Sequence, residues 1–374
     1  MMGVSDVEVT IMIQENPYLQ YFCELDQFTT KKILDESSLT NLRKRIGIKF
    51  FKELEKNIIE ELKKKKIIRS RGMIIDAIVF PADIKYSTDT GLLNDAREWL
   101  VKTIDGMSKK VGKQVRTYKR IARKIYLNLS KEKSKKIKEI RKGKKQLLQF
   151  VKRNISQLKE IIEEISKKGN KVGEEVRNKI AIIEKIYKQQ REMYKEKKKQ
   201  IKERIVRLYW PEVRPICRGK AGKKTEFGVK GALTLVDNYV FLDKVENEAY
   251  SEAETETVKK QIEKFEERFE KKPDYCTGDG LYGTRENRDM LKDMGIRDAF
   301  KKLGRKAKAS EESKKDYKWK RNKQRERNRI EGFIGNVKEH YKCGRIKYRI
   351  EEGNEIWVRM GLIAMNLRTA VQRI

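Results

Sequence analysis

Histidine is almost missing from this chain: there is one, His340, in 374 residues. Activation of a nucleophile by an imidazole and a histidine-rich metal site are both disfavoured, so any chemistry falls to carboxylates. The four cysteines, Cys23, Cys217, Cys276 and Cys343, lie far apart and form no close pair of the kind zinc sites and redox motifs use. They read as reduced thiols of a cytosolic protein. No apolar run approaches the roughly 20 residues needed to cross a bilayer. The start, MMGVSDVEVT, lacks the basic and apolar regions of a signal peptide. Prolines number five, with none between Ala82 and Trp210, so long helices are permitted through that stretch.

Negative charge is the other shortage. Against 91 Lys and Arg stand 56 Asp and Glu, a formal charge of +35. The excess is concentrated: residues 101–210 hold 36 basic and 12 acidic residues, and residues 301–350 hold 19 and 6. Two such blocks on a chain otherwise near neutral suit a phosphate backbone better than a solubility device spread over the surface.

The first 65 residues or so read as short helices, with Leu39, Leu42 and Ile46 on one apolar face, a break at Gly47, and Phe50, Leu54, Ile58 and Leu62 resuming it. Met73 to Phe80 is a β-branched run ended by Pro81 and predicts a buried strand with one acid, Asp76, in its middle. Burying a polar group without a partner costs about 2–7 kcal/mol, so Asp76 needs a cation or hydrogen-bond donors. A helix is expected from Gly91, capped by Asp89 or Thr90. Residues 101–210 read as helical throughout, with apolar positions from Leu147 to Ile165 and from Val176 to Ile205 at spacings of three and four around a KKGN turn, the pattern of an antiparallel hairpin.

Phe227–Val236 and Tyr239–Val245 predict a β-hairpin turning at Asp237 and Asn238. A helix with an acidic start follows. Asp274–Gly278 predicts a strand delivering Asp279 at its carboxyl end, followed by a helix over Thr284–Met294, a strand near Arg297–Lys301, a basic helix holding Glu331, and a last helix near Glu355–Val371. That order predicts an α/β protein, a mixed sheet flanked by helices, in which sites gather at strand carboxyl ends.

Asp76, Asp279 and Glu331 are the candidate catalytic residues. Converging carboxylates repel unless cations intervene, and paired Mg²⁺ ions on oxygen ligands would both relieve the repulsion and serve phosphodiester cleavage. On the helix of Glu331, Arg327 and Lys338 share its face and could grip a phosphate. Gly332 and Gly335, each costing about 1 kcal/mol inside a helix, suggest a close approach by sheet or DNA. Each acid also has an architectural reading: Asp76 as a core aspartate bonded to backbone, Asp279 as a turn residue, Glu331 as a surface acid paired with Arg327. Tyr282 and Trp210 suit packing better than base stacking.

The segments IIDAIVFPADIKYSTDTGLL, RPICRGKAGKKTEFGVKGAL, TGDGLYGTRENRDMLKDMGI and RNRIEGFIGNVK resemble the DDE transposases of bacterial insertion sequences, most of all the insertion-sequence family numbered five. ENPYLQYFCELDQF and SSLTNLRKRIG resemble that family's helical N-terminal region. The resemblance implies an RNase H-like catalytic domain over 71–100 and 211–350 and an N-terminal helical region over 1–70; the pattern and charge of 101–210 make that stretch a basic helical hairpin insertion after the first strand, and 351–374 is expected as a C-terminal helix packing on the catalytic domain. It implies that the chain starts late, with part of an end-recognition domain missing. Asp76, Asp279 and Glu331 would be ligands of two Mg²⁺ ions, with Mn²⁺ as substitute, and Arg327, Lys338, Arg218 and Lys220 would contact DNA; for Arg218 and Lys220 a plain basic turn is the alternative. Many relatives carry a tyrosine where this chain has Gln324. The implied reaction is hydrolysis at the ends of the element, then attack of the freed 3′-hydroxyl on target DNA. Partners would be double-stranded DNA, as terminal inverted repeats and target, and a second copy of the chain; no membrane or organic cofactor is expected, and the location is cytoplasmic, with the nucleoid. The competing readings are an RNase H-like nuclease that cuts without joining and a decayed DNA-binding derivative.

Overall fold

The computed structural model describes residues 4–131, 136–217, 225–247, 254–304, 311–350 and 352–373. In order come α1 (Asp6–Glu15), α2 (Pro17–Phe22), α3 (Glu36–Lys64), β1 (Gly72–Pro81), α4 (Asp89–Val111), α5 (Lys119–Lys131), α6 (Ile137–Lys167), α7 (Glu174–Lys195) and β2 (Arg214–Cys217). Then follow β3 (Thr225–Val236), β4 (Tyr239–Glu246), α8 (Thr255–Phe269), β5 (Tyr275–Thr277), a 3₁₀ turn (Gly280–Tyr282), α9 (Arg285–Asp293), β6 (Arg297–Asp298), α10 (Glu311–Glu339) and α11 (Gly353–Val371). The chain divides into two compact units, one of Met1–Asp83 with Gly228–Ile374, the other of Ile84–Phe227.

The first unit is mixed α/β. Its strands run in the order β4-β3-β1-β5-β6, antiparallel between β4, β3 and β1 and parallel from β1 through β5 to β6. Asp237 and Asn238 both take positive φ, 45° and 76°, which gives the β3–β4 hairpin the left-handed two-residue turn its twist requires. One sheet face is covered by α8, α9 and the end of α3: Met73, Ile75, Phe241 and Cys276 meet Ile262, Phe265, Leu291 and Leu62 in one apolar cluster.

Gly47, at φ 61°, kinks α3 and resets its helical phase. The second half therefore buries Ile48, Phe51, Glu55, Ile59 and Leu62, while Phe50 and Leu54, expected on that face, are exposed. Glu55 comes in with Arg359 of α11 as its ion-pair partner, and burial raises its pKa even against that cation.

The second unit is a helical cluster. α4 contributes Leu93, Leu100 and Ile104 to the same core as Leu147, Val151 and Leu158 of α6 and Ile183 and Ile186 of α7. The unit therefore begins at Ile84, ahead of the position 101 suggested by charge. Helix stops at Lys195; residues 196–210 form turns and irregular chain rather than the expected helix, and β2 follows from Arg214. The cap of α4 is Thr88, whose Oγ1 accepts from the Gly91 N–H at 3.1 Å, rather than Asp89 or Thr90. Asp89 instead accepts from Lys144, Arg204 and Gln190 at 2.7–3.0 Å. Burial alone would raise its pKa, and these partners outweigh it and hold the carboxyl below its usual value.

Candidate active site

Alternation along β1 decides which way Asp76 points. Met73 and Ile75 enter the apolar cluster with Cys276 of β5, so Ile74, Asp76 and Thr277 lie on the opposite face, where α10 packs. The parallel register pairs Ile74 with Thr277. Two residues further along each chain, on the same face, come Asp76 and Asp279. A separation of 203 residues in sequence thus closes to neighbouring positions, Asp76 in the middle of β1 and Asp279 just past the carboxyl end of β5.

Gly278 makes that approach possible. A Cβ there would lie 2.8 Å from the Tyr282 ring and 3.1 Å from both Cγ1 and the carbonyl oxygen of Ile75, so only glycine lets the end of β5 lie this close to β1. Asp279 then caps the 3₁₀ turn, its Oδ1 accepting from the Leu281 N–H at 2.8 Å.

Asp76 is half-buried, and its Oδ1 accepts from the Ala77 N–H at 2.8 Å. Desolvation pushes its pKa up to about 6; the Ala77 hydrogen bond opposes this, the negative charges of Asp279 and Glu331 add to it, and Arg327 works against it. Asp279, Glu331 and Arg327 therefore all lie close enough to act on Asp76.

Glu331 is nevertheless turned aside in this structure. Its Oε1 accepts from Nη2 of Arg327 at 2.9 Å, and its side chain is 61% exposed. Among the described residues no three His, Cys, Asp or Glu side chains are gathered closely enough to hold a metal ion as they stand. The donor set still suits a hard divalent ion: oxygen ligands only, two half-buried carboxylates side by side, and a repulsion at Asp76 that a cation would relieve.

Of the expected DNA contacts, Arg327 is 18% exposed beside the acids and Lys338 is half-buried about three turns further along α10. Arg218 and Lys220 lie outside the described residues. Gly332 and Gly335 would meet nothing within 4 Å if given a Cβ, so no neighbour among the described residues explains them. Trp210 and Tyr282 are 2% and 1% exposed and serve packing.

Gln324 is the functional candidate that sequence reasoning left without a role. Its amide donates to Thr277 Oγ1 at 2.8 Å, to the Ala299 carbonyl at 2.9 Å and to the Gly278 carbonyl at 3.3 Å. The available signal was its spacing, seven residues before Glu331 and so on the same helical face.

The mixed α/β unit places one carboxylate within β1, a second just past the end of β5 and a third on the helix packed against both strands. Comparison with known proteins agrees: residues 209–367 match the family described as the transposase DDE domain, which supports a DDE transposase. Asp279 and Glu331 fall inside that match, and Asp76 precedes it. The chain is also 34% identical over 124 residues to the "Uncharacterized protein ORF8 in nfe locus" of Rhizobium meliloti, a match covering 32% of this chain and 58% of that protein. The chain thus spans somewhat more than half the length of the curated relative it matches. No solved structure matches.

Proposed function

We propose that the protein is a DNA transposase of the insertion-sequence family numbered five, with an RNase H-like catalytic unit. It would cleave phosphodiester bonds at the terminal inverted repeats and join the 3′-hydroxyl to target DNA, working in the cytoplasm on the nucleoid as a homodimer that holds both ends. The observation that supports this reading is the parallel register of β1 and β5, which pairs Ile74 with Thr277 two residues before Asp76 and Asp279, with the helix of Glu331 packed against both strands. Asp76, Asp279 and Glu331 would hold two divalent ions, Mg²⁺ or Mn²⁺, which would supply activation of the attacking oxygen and charge stabilisation of the leaving one.

The chain's own side chains prepare the rest. Asp76, within β1, and Asp279, just past the end of β5, supply the ligand oxygens. Arg327 and Lys338 grip the phosphate next to the scissile bond, and Arg218 and Lys220 take phosphates further along. A phosphate arriving at Arg327 competes for its guanidinium and frees Glu331 to turn toward the aspartates.

Duplex binding is supported by the second unit. Its charge is polarised: residues 119–153 hold fifteen Lys and Arg against two Glu, whereas residues 154–195 hold ten against seven. Gly143 brings α5 against α6, since a Cβ there would overlap the Leu129 side chain. On the resulting pair of helices Arg120, Arg123, Lys124, Lys142, Lys145 and Lys152 are exposed.

The test is incubation of the protein with terminal-repeat DNA and Mg²⁺ or Mn²⁺, comparing wild type with Asp279→Ala. Cleavage and joining, both abolished by the substitution, are expected. Cleavage without joining would instead identify an RNase H-like nuclease, and binding without cleavage a non-catalytic DNA-binding derivative.

A further inference from the structure

We infer that Gln324 is a positioning residue, whose amide sets the distance between the helix of Glu331 and the strand end that carries Asp279. The inference rests on the carboxylate site proposed above and concerns how that site is held.

The hydrogen bonds define the amide's orientation. The carbonyls of Gly278 and Ala299 can only accept, and Thr277 Oγ1 gives its own proton to the Ala299 carbonyl at 3.0 Å, leaving a lone pair for Gln324. The NH₂ group must therefore face all three. Thr277 and Ala299 are fully buried, so an N–H lost here leaves polar atoms with no access to water. Thr277 is the last residue of β5, Gly278 follows it, and Asp279 comes next.

The helix side of the clamp is just as direct. Glu331 lies seven residues on, close to two turns and about 10 Å along the axis of α10. Other ties hold α10 further toward its start: Lys320 to Asp298 at 2.7 Å, Arg297 stacked on Trp319, and Lys323 over the Tyr275 ring. These reach β6 and the first residue of β5. Gln324 alone among these ties grips the strand's carboxyl end, where the acids are. A tyrosine at this position has one O–H to offer, against two N–H groups in the amide, so the glutamine gives the clamp a donor for the strand and another for Ala299.

The experiment compares Gln324→Met, which keeps length and loses both donors, with Thr277→Val, the double variant, and Trp319→Leu, which loosens α10 away from the acids. Four quantities are read: Mn²⁺ affinity without DNA, duplex affinity, the single-turnover cleavage rate, and amide exchange over residues 327–334. In Gln324→Met and Thr277→Val, Mn²⁺ binding and cleavage are each expected to weaken about ten-fold or more, with duplex affinity unchanged. The double variant should be no worse than either single one, and exchange should quicken over 327–334. Trp319→Leu should lose thermal stability and keep its Mn²⁺ affinity. The inference is overturned if Gln324→Met binds Mn²⁺ within about two-fold of wild type, or if Trp319→Leu weakens it equally, because either result makes the amide a general packing contact. Wild-type protein that takes up Mn²⁺ but does not cut DNA would overturn the transposase reading and leave the clamp standing. Wild-type protein that takes up no Mn²⁺ would overturn both.

Discussion

Replacing Asp76 by asparagine should make the metal-free protein more stable while destroying its activity. The side chain keeps its shape and its Oδ1 acceptor for the Ala77 N–H, and loses only the charge. In the folded protein the Asp76 pKa stands at about 6 against an ordinary value of 3.8. At about 1.36 kcal/mol per unit, the rise of roughly two units corresponds to about 3 kcal/mol at neutral pH. Solvent screening at a half-buried carboxylate reduces this to about 1–2 kcal/mol.

The sign follows from proton linkage. Because the folded-state pKa is the higher one, the folded chain holds the proton more tightly, and its contribution to stability is complete below about pH 4. It is lost as pH rises from about 4 through about 6. Urea midpoints of wild type and Asp76→Asn, measured in chelator from pH 4 to pH 8, should therefore diverge in favour of the variant as pH rises. Added Mn²⁺ should then stabilise wild type and leave the variant unmoved, since only the intact site binds it. Parallel midpoint curves across that range would refute the claim that Asp76 sits in a desolvated field of like charge.

Gly278→Ala should cost about 1–3 kcal/mol, because its new methyl meets the Ile75 carbonyl and cannot relax past backbone; the thermal midpoint measures this, and cleavage should fall with the displacement of Asp279. Removing Arg123, Lys124, Lys142 and Lys145 together should lower the slope of log affinity against log salt for duplex DNA by about 3–4, at about 0.9 for each phosphate contact. The same loss of charge at Lys167, Lys168, Lys188 and Arg191 should leave that slope nearly unchanged; equal effects would show that net charge, and no particular face, binds the duplex.

What could be read from the sequence depended on local chemistry. The strand bearing Asp76, the hairpin at Asp237 and Asn238, and the helix of Glu331 all announce themselves through periodicity or turn residues. The phase of α3 did not, because the backbone of Gly47 rotates the second half of the helix, an effect that side-chain spacing alone does not reveal. The short strand β2 was hidden beside a basic, glycine-containing stretch. The buried contact of α4 with α6 was masked by a charge pattern that placed the unit's start later in the chain. For the site, order and residue type pointed to three acids, but the face shared by Asp76 and Asp279 emerges only from the parallel register of β1 and β5. Gln324 was visible as a substitution, and its three acceptors were not, since they come from two other segments of the chain.

The pairing of Glu331 with Arg327 bears on how the site would be completed. An exposed pair four residues apart on a helix is worth about 0.3–0.5 kcal/mol. That is less than the stability lost to the raised pKa of Asp76, so the metal-free arrangement is limited by the desolvation of Asp76, to which the charges of Asp279 and Glu331 add, and not by the strength of the pair that draws Glu331 away. A divalent cation and a phosphate remove both restraints together: the cation compensates the buried charge of Asp76 and its acidic neighbours, and the phosphate takes the guanidinium. Metal and DNA should therefore bind with positive coupling, each raising the affinity for the other. Their shared element is the side chain of Glu331, swinging over a helix that Gln324 holds in place.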